Sequence, residues 1–137
     1  MIFQHSLYHI RWAEDKQILE LVWKPTTQDL VAEEFQAALH NFAGFGATYG
    51  VSSMLQDMRD FMDYLPPELL RWRDIVVSPR YRQFGLQKMA FLYPPEMAPK
   101  NMGNAPIQIR GYAEEFFDVY ESATDWLLTD IRPRKAG

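Results

Sequence analysis

Six consecutive residues, Ile18-Leu19-Glu20-Leu21-Val22-Trp23, restrict this chain more than any other stretch. In an extended strand successive side chains point to opposite faces, so Leu19, Leu21 and Trp23 share one side and Ile18, Glu20 and Val22 the other. The first side is wholly apolar and has to meet a core. A second extended run, Leu7-Tyr8-His9-Ile10-Arg11-Trp12, lies upstream across the polar turn Ala13-Glu14-Asp15-Lys16-Gln17, and the two read as a hairpin.

The periodicity then changes. Pro25 stops the strand, and a helix is expected to start at Thr27, Gln28 or Asp29 and end near Ala43-Gly44, because Leu30, Val31, Phe35, Ala38, Leu39 and Phe42 recur at helical spacing. The glycine-containing stretch Gly44-Phe45-Gly46-Ala47-Thr48-Tyr49-Gly50 follows a helix and precedes a strand. That is the wrong order for a phosphate-cradling loop, so it reads as a turn. Val51–Met58 reads as a buried strand that turns polar at its end. A helix from about Pro67 to Val77 is expected to display Arg71, Arg73 and Asp74 and to stop at Ser78-Pro79. Leu86–Tyr93 is a further strand, halted by Pro94-Pro95. Residues 96–106 carry little pattern. Beyond them, Ile109, Tyr112, Ala113, Phe116, Phe117, Tyr120, Ala123 and Leu127 fit either one helical face or a short strand followed by a helix over Val119–Thr129. This order predicts a single α/β domain over residues 1–137, a mixed sheet covered by helices.

Composition removes several functional classes. No cysteine is present, which excludes disulfides, thiolate metal sites and cysteine nucleophiles. No apolar run reaches the roughly 20 residues of a membrane span, and the first residues lack the basic and apolar regions of a signal peptide, so a cytoplasmic location is expected. The net charge of −4 is uneven. Residues 1–68 hold ten acids and four bases, residues 69–110 seven bases and two acids, and residues 111–137 six acids and three bases. The overall sign disfavours nucleic acid as a partner, since that affinity comes from neutralising phosphates.

Several pieces resemble a known family, the SpoIIAA-like proteins, also described as STAS/SEC14-like domains. They are the strand Ile18–Trp23, the helix around Glu34-Phe35, the strand end Leu55-Gln56-Asp57-Met58-Arg59, and Phe117 followed by Ala123-Thr124-Asp125-Trp126-Leu127. The resemblance implies a SpoIIAA-like/STAS-like mixed sheet of four or five strands with helices packed mainly on one face, and it favours a strand near Glu114–Phe117. Anti-sigma-factor antagonists of the wider superfamily carry a phosphorylatable Ser or Thr after the third strand. Here Asp57-Met58-Arg59-Asp60-Phe61-Met62-Asp63-Tyr64 contains neither, and the next is Ser78, so no phosphate switch is expected.

The candidate sites follow from these placements. No nucleophile elbow is present, and His5, His9 and His40 do not form the three- or four-ligand set of a metal site, so neither catalytic residues, nor a metal, nor a cofactor is expected. Asp57 and Arg59 stand at a strand end, where open α/β sheets present ligand-contacting groups; an ion pair would place them there equally well. Phe61, Tyr64, Trp72 and Phe84, interleaved with Arg71 and Arg73, make an aromatic and basic region suited to a membrane surface or a lid over an apolar pocket, or else a core-facing helix with a solvated basic face. The leading expectation is a non-enzymatic binding module for a small apolar ligand or a membrane surface, cytoplasmic or peripheral to a membrane. The alternative is a protein–protein regulatory module related to anti-sigma-factor antagonists, and a homodimer would bury an exposed aromatic helix.

Overall fold

In the computed structural model the described residues are 2–61, 65–95 and 111–129. Six strands form one sheet in the order β1 to β6: β1 (Phe3–Gln4), β2 (Tyr8–Ala13), β3 (Ile18–Trp23), β4 (Ser53–Asp57), β5 (Lys88–Leu92) and β6 (Ala113–Phe117). The first three pair antiparallel, with Ile10 opposite Leu21 and Trp12 opposite Leu19. The remaining pairings are parallel, aligning Leu21, Gln56, Phe91 and Phe116 in one row across the sheet. The expected α/β class and mixed sheet are present. The strand number is six rather than four or five, because two residues ahead of the hairpin, too few to show a period, add an edge strand.

The hairpin turn ends on Gln17 in the left-handed region, at φ 60°. A 3-10 turn at Pro25–Asp29 separates β3 from α1 (Ala32–Tyr49), so this helix starts later than its apolar spacing suggests. Glu34 sets that start by accepting the Val31 backbone N–H at 3.0 Å. The helix also runs past Gly44 and Gly46. The expected turn at 44–50 is instead its last turns, and only Gly50, at φ 60°, is the left-handed C-cap. Gly46 is needed for space, since a Cβ there would lie 2.6 Å from Phe84 Cζ.

The second helical run is longer than expected as well. It comprises α2 (Pro67–Trp72), a π-helical segment (Arg73–Val77) and α3 (Ser78–Gln83). Ser78-Pro79 does not end it. Proline lacks an N–H and its ring clashes with the carbonyl four residues back, and the wider π turn, closed by Ser78 N–H to Arg73 O, absorbs that defect. The C-terminal alternatives resolve as strand β6 followed by α4 (Tyr120–Leu128). Residues 96–106 lie outside the described residues.

Helices cover both faces, not mainly one. On the first face α1 and the Pro67–Gln83 run bury Leu19, Leu21, Trp23, Met54, Met89 and Phe91 in the main core. On the second, α4 buries Ala123 and Leu127 against Ile18, Leu55, Ala90 and Leu92. Two buried polar side chains hold α4 at its ends. Lys88, 2% exposed, donates to the carbonyls of Trp126 at 2.6 Å and Thr129 at 2.7 Å, satisfying the end of the helix where positive charge is favoured. Tyr120 donates its hydroxyl to the Glu20 carboxylate at the other end. No described helix is long and apolar enough to cross a membrane.

The two helical glycines of α1 give opposite expectations. Gly44→Ala meets only Arg80 Nη2 at 3.9 Å and should stabilise the protein by about 0.5–1 kcal/mol through helix propensity. Gly46→Ala drives into Phe84 and Met54 and should destabilise it by about 1–3 kcal/mol. Urea denaturation of both variants checks the signs.

Candidate functional site

The aromatic and basic residues singled out by sequence are largely built into the core layer. Phe61 stands edge-on to Trp23, with centroids 5.1 Å apart, and to Phe35 at 6.4 Å. Trp72 meets His40 edge-on at 5.4 Å, and Phe84 meets Tyr81 at 6.1 Å. Arg71 is exposed. Arg73, expected on the surface, is half-buried, because it lies one helical turn after the buried Leu69, and it donates to Asp74 Oδ1 from Nε at 3.2 Å and Nη2 at 3.0 Å. Tyr64 lies outside the described residues. The aromatics therefore form part of the layer between helices and sheet, and the apolar side chains left at the surface of the helical run are Ile75 and Val76.

Asp57 and Arg59 close on each other. Asp57 Oδ1 accepts from the Arg59 backbone N–H at 3.1 Å and from Nε at 2.9 Å, while Oδ2 accepts from Nη2 at 2.7 Å. This two-pronged pair fixes the chain where it leaves β4, and the neighbouring carboxylate holds the Arg59 guanidinium above its usual range. The histidines have local partners. His5 Nδ1 accepts the Leu7 N–H at 3.1 Å, the His40 ring meets Arg80 Nη1 at 2.9 Å, and His9 is held below the usual imidazole range by burial and then by Lys24. Among the described residues no group of three or more His, Asp or Glu side chains could hold a metal ion.

The more informative arrangement lies on the first face of the sheet. Gln56 sits in the middle of the row Leu21, Gln56, Phe91, Phe116, 3% exposed, with apolar side chains on both sides of it in that row. Phe91 and Phe116 stack beside it at 5.3 Å and 24°, and Tyr93 packs on Phe116 at 5.8 Å. Trp23, on the neighbouring strand, buries an indole N–H that has no partner, and Tyr81, from α3 and packed on Phe84 and Tyr112 toward the strands' N-terminal ends, buries an equally unpartnered hydroxyl. Burial pushes the Tyr81 and Tyr93 hydroxyls above the usual phenol range; Arg73 opposes this shift at both, and Glu114 reinforces it. Two charged side chains therefore bear on the same pair of tyrosines. Sequence reasoning assigned Gln56 only to the end of a strand. The signal available was an amide between Leu55 and Asp57 on the face that also carries Met54 and Met58, a polar side chain inside an apolar stripe.

A second polar cluster occupies the opposite face. Glu20, 2% exposed, accepts from Tyr120 and, at 3.3 Å, from Arg11 Nη1. Burial raises its carboxyl above the usual range, with the hydrogen bond from Tyr120 acting against the shift. Burial and the bonded Glu20 raise the Tyr120 hydroxyl in turn. An open groove of about 200 Å³ near the start of α1 is lined by His5, Tyr8, Glu33, Glu34, Ala37 and Asn41, with Asn41 donating to the Tyr8 hydroxyl at 2.8 Å.

A raised carboxyl binds its proton more tightly in the folded chain, so the stability it contributes is full below its unfolded value and is lost as pH rises through the folded one. Glu20→Gln removes that titration. Urea denaturation at acidic and neutral pH should show the variant gaining on the wild type as pH rises, and a difference independent of pH would contradict the burial argument. No family model matches the chain, and neither the curated proteins nor the solved structures contain a match to it.

Proposed function

We propose that this chain is a non-enzymatic binding module that holds a small, largely apolar molecule against the first face of its sheet, in a domain of SpoIIAA-like (STAS/SEC14-like) type. Gln56 carries the reading. Its carboxamide is 3% exposed in a row whose other members are Leu21, Phe91 and Phe116, and structural positions of this kind are ordinarily filled by an apolar residue. An amide kept there among Phe91, Phe116 and Trp23 suits the usual make-up of a ligand site, apolar walls with a few placed polar groups. The parallel strands β3 to β5 deliver these residues at their C-terminal ends, where open α/β sheets bind ligands. The mixed sheet and its strand order support the resemblance to the SpoIIAA-like family.

A peripheral membrane contact is the second reading, favoured by one observation. Ile75 is 67% exposed and Val76 37% exposed beside the exposed Arg71, the apolar and cationic mixture that an anionic lipid surface attracts.

Native mass spectrometry of gently purified protein tests the first reading. A small molecule should accompany the wild type and be reduced at least tenfold in Gln56→Leu, while the variant folds with equal or greater stability, by up to about 1–2 kcal/mol. A wild type that carries nothing, together with a destabilised variant, would assign Gln56 to structure instead. Sedimentation with phosphatidylserine-containing vesicles tests the second, with Ile75→Ser expected to lower the bound fraction severalfold and pure phosphatidylcholine vesicles to recover little protein.

A further inference from the structure

One cation of the second helical run is tied to a histidine of α1, and from that bond we infer a pH-sensitive catch: mild acid parts His40 from Arg80 and strengthens a contact with an anionic lipid surface. This inference rests on reading Ile75 and Val76 as a peripheral membrane contact. Arg80, half-buried on α3, reaches across to α1, where its Nη1 lies 2.9 Å from His40 Nδ1 and donates to the His40 carbonyl at 3.3 Å. Its Nη2 lies beside Gly44, one turn further along α1. A guanidinium has five N–H donors and no acceptor, so the ring nitrogen that meets it has to be unprotonated. A proton on Nδ1 turns that acceptor into a donor and sets two cations against each other. Histidine is the side chain that ordinarily changes charge between about pH 5 and about pH 8.

The surroundings leave Arg80 as the charged group against the ring. Trp72 of α2 meets His40 edge-on and is uncharged. Residues 35–50, which make up most of α1, include no acidic or basic side chain, and the carboxylates of that helix, Glu33 and Glu34, stand in its first turn. In the second run the acids are Glu68, in the first turn of α2, and Asp74, which accepts from Arg73.

The catch adjoins the exposed apolar pair. Ile75 lies one turn past Arg71, and Arg80 lies one turn past Val76, so the two arginines bracket Ile75 and Val76 along the run. With His40 neutral, Arg80 is laid across α1. Protonation frees its long side chain and adds the imidazolium as a second positive charge on the same helical layer. An anionic surface attracts each of these charges, so lipid favours the protonated form and the proton favours lipid. Affinity therefore rises as pH falls through the histidine range and is lost as pH rises through it.

Sedimentation of the full chain with equimolar phosphatidylserine–phosphatidylcholine vesicles, between about pH 7.5 and about pH 5.5, tests the catch. Wild-type partitioning should rise about fivefold more on acidification than that of His40→Gln, the gain that one added cation near such a surface supplies. The glutamine keeps an acceptor for Arg80 and takes up no proton, so titration elsewhere in the chain is common to both proteins. Arg80→Gln should lower binding more at acidic than at neutral pH. In lipid-free protein at neutral pH, NMR of the imidazole nitrogens should show His40 Nδ1 without a proton, and a proton there would overturn the catch. Equal pH dependence of wild type and His40→Gln, with binding retained, would overturn the catch and leave the lipid contact standing. Absence of wild-type sedimentation at both pH values would overturn the two together.

Discussion

Helices cover both faces of the sheet, so a polar side chain on the central strands can be satisfied only from inside the protein. The consequences are plainest on the second face. Lys88 would carry a desolvated charge in a strand otherwise filled by Met89, Ala90, Phe91 and Leu92, and the cost of that charge is offset by two carbonyls at the end of α4 and by the Trp126 ring 4.8 Å from Nζ. Glu20 is answered in the same way by Tyr120 and Arg11. These interactions also fix α4 in position, since the helix brings only a short apolar stripe of its own. One requirement, the pairing of buried charge, therefore explains both an unusual strand composition and the seating of a helix.

The first face departs from that rule. Its apolar packing is dense, with Phe42, Leu39 and Ala38 of α1 fully buried against the sheet, yet Trp23 and Tyr81 keep polar atoms that the described residues do not satisfy. Native proteins contain few such groups, and those that persist concentrate where structure serves something other than stability. The two faces thus differ in whether their buried polar groups are answered from within the described residues.

The π turn belongs to the same economy of constraint. Pro79 prevents the regular hydrogen-bond ladder from continuing, and the wider turn carries the helix past it while Ile75 and Val76 stay outside. Two residues apart on a helix, Arg71 and Arg73 point to opposite sides, and Arg73 shares the side of the buried Leu69. The basic character that composition places in the middle of the chain is thus divided by backbone geometry between an exposed and an inward-facing side chain.

Local periodicity was enough to read the hairpin, the core stripe Leu19, Leu21, Trp23, the strands around Met54 and Met89, and the α/β class, because each is a short-range pattern of apolar side chains against one face. It also placed Asp57 and Arg59 together at a strand end. What it could not decide depended on residues distant in sequence. Gly46 continues α1 because Phe84 occupies the space above it, Pro79 is carried through by a π turn, and α4 crosses to the second face, where Glu20 and Lys88 need partners. Gln56 looked like an ordinary polar strand end until its neighbours across the sheet, Leu21 and Phe91, showed that no hydrogen-bonding side chain flanks it in its row. Sequence determined which residues must be buried; only the tertiary structure decided which buried polar groups would be answered, because those partners come from segments tens of residues away.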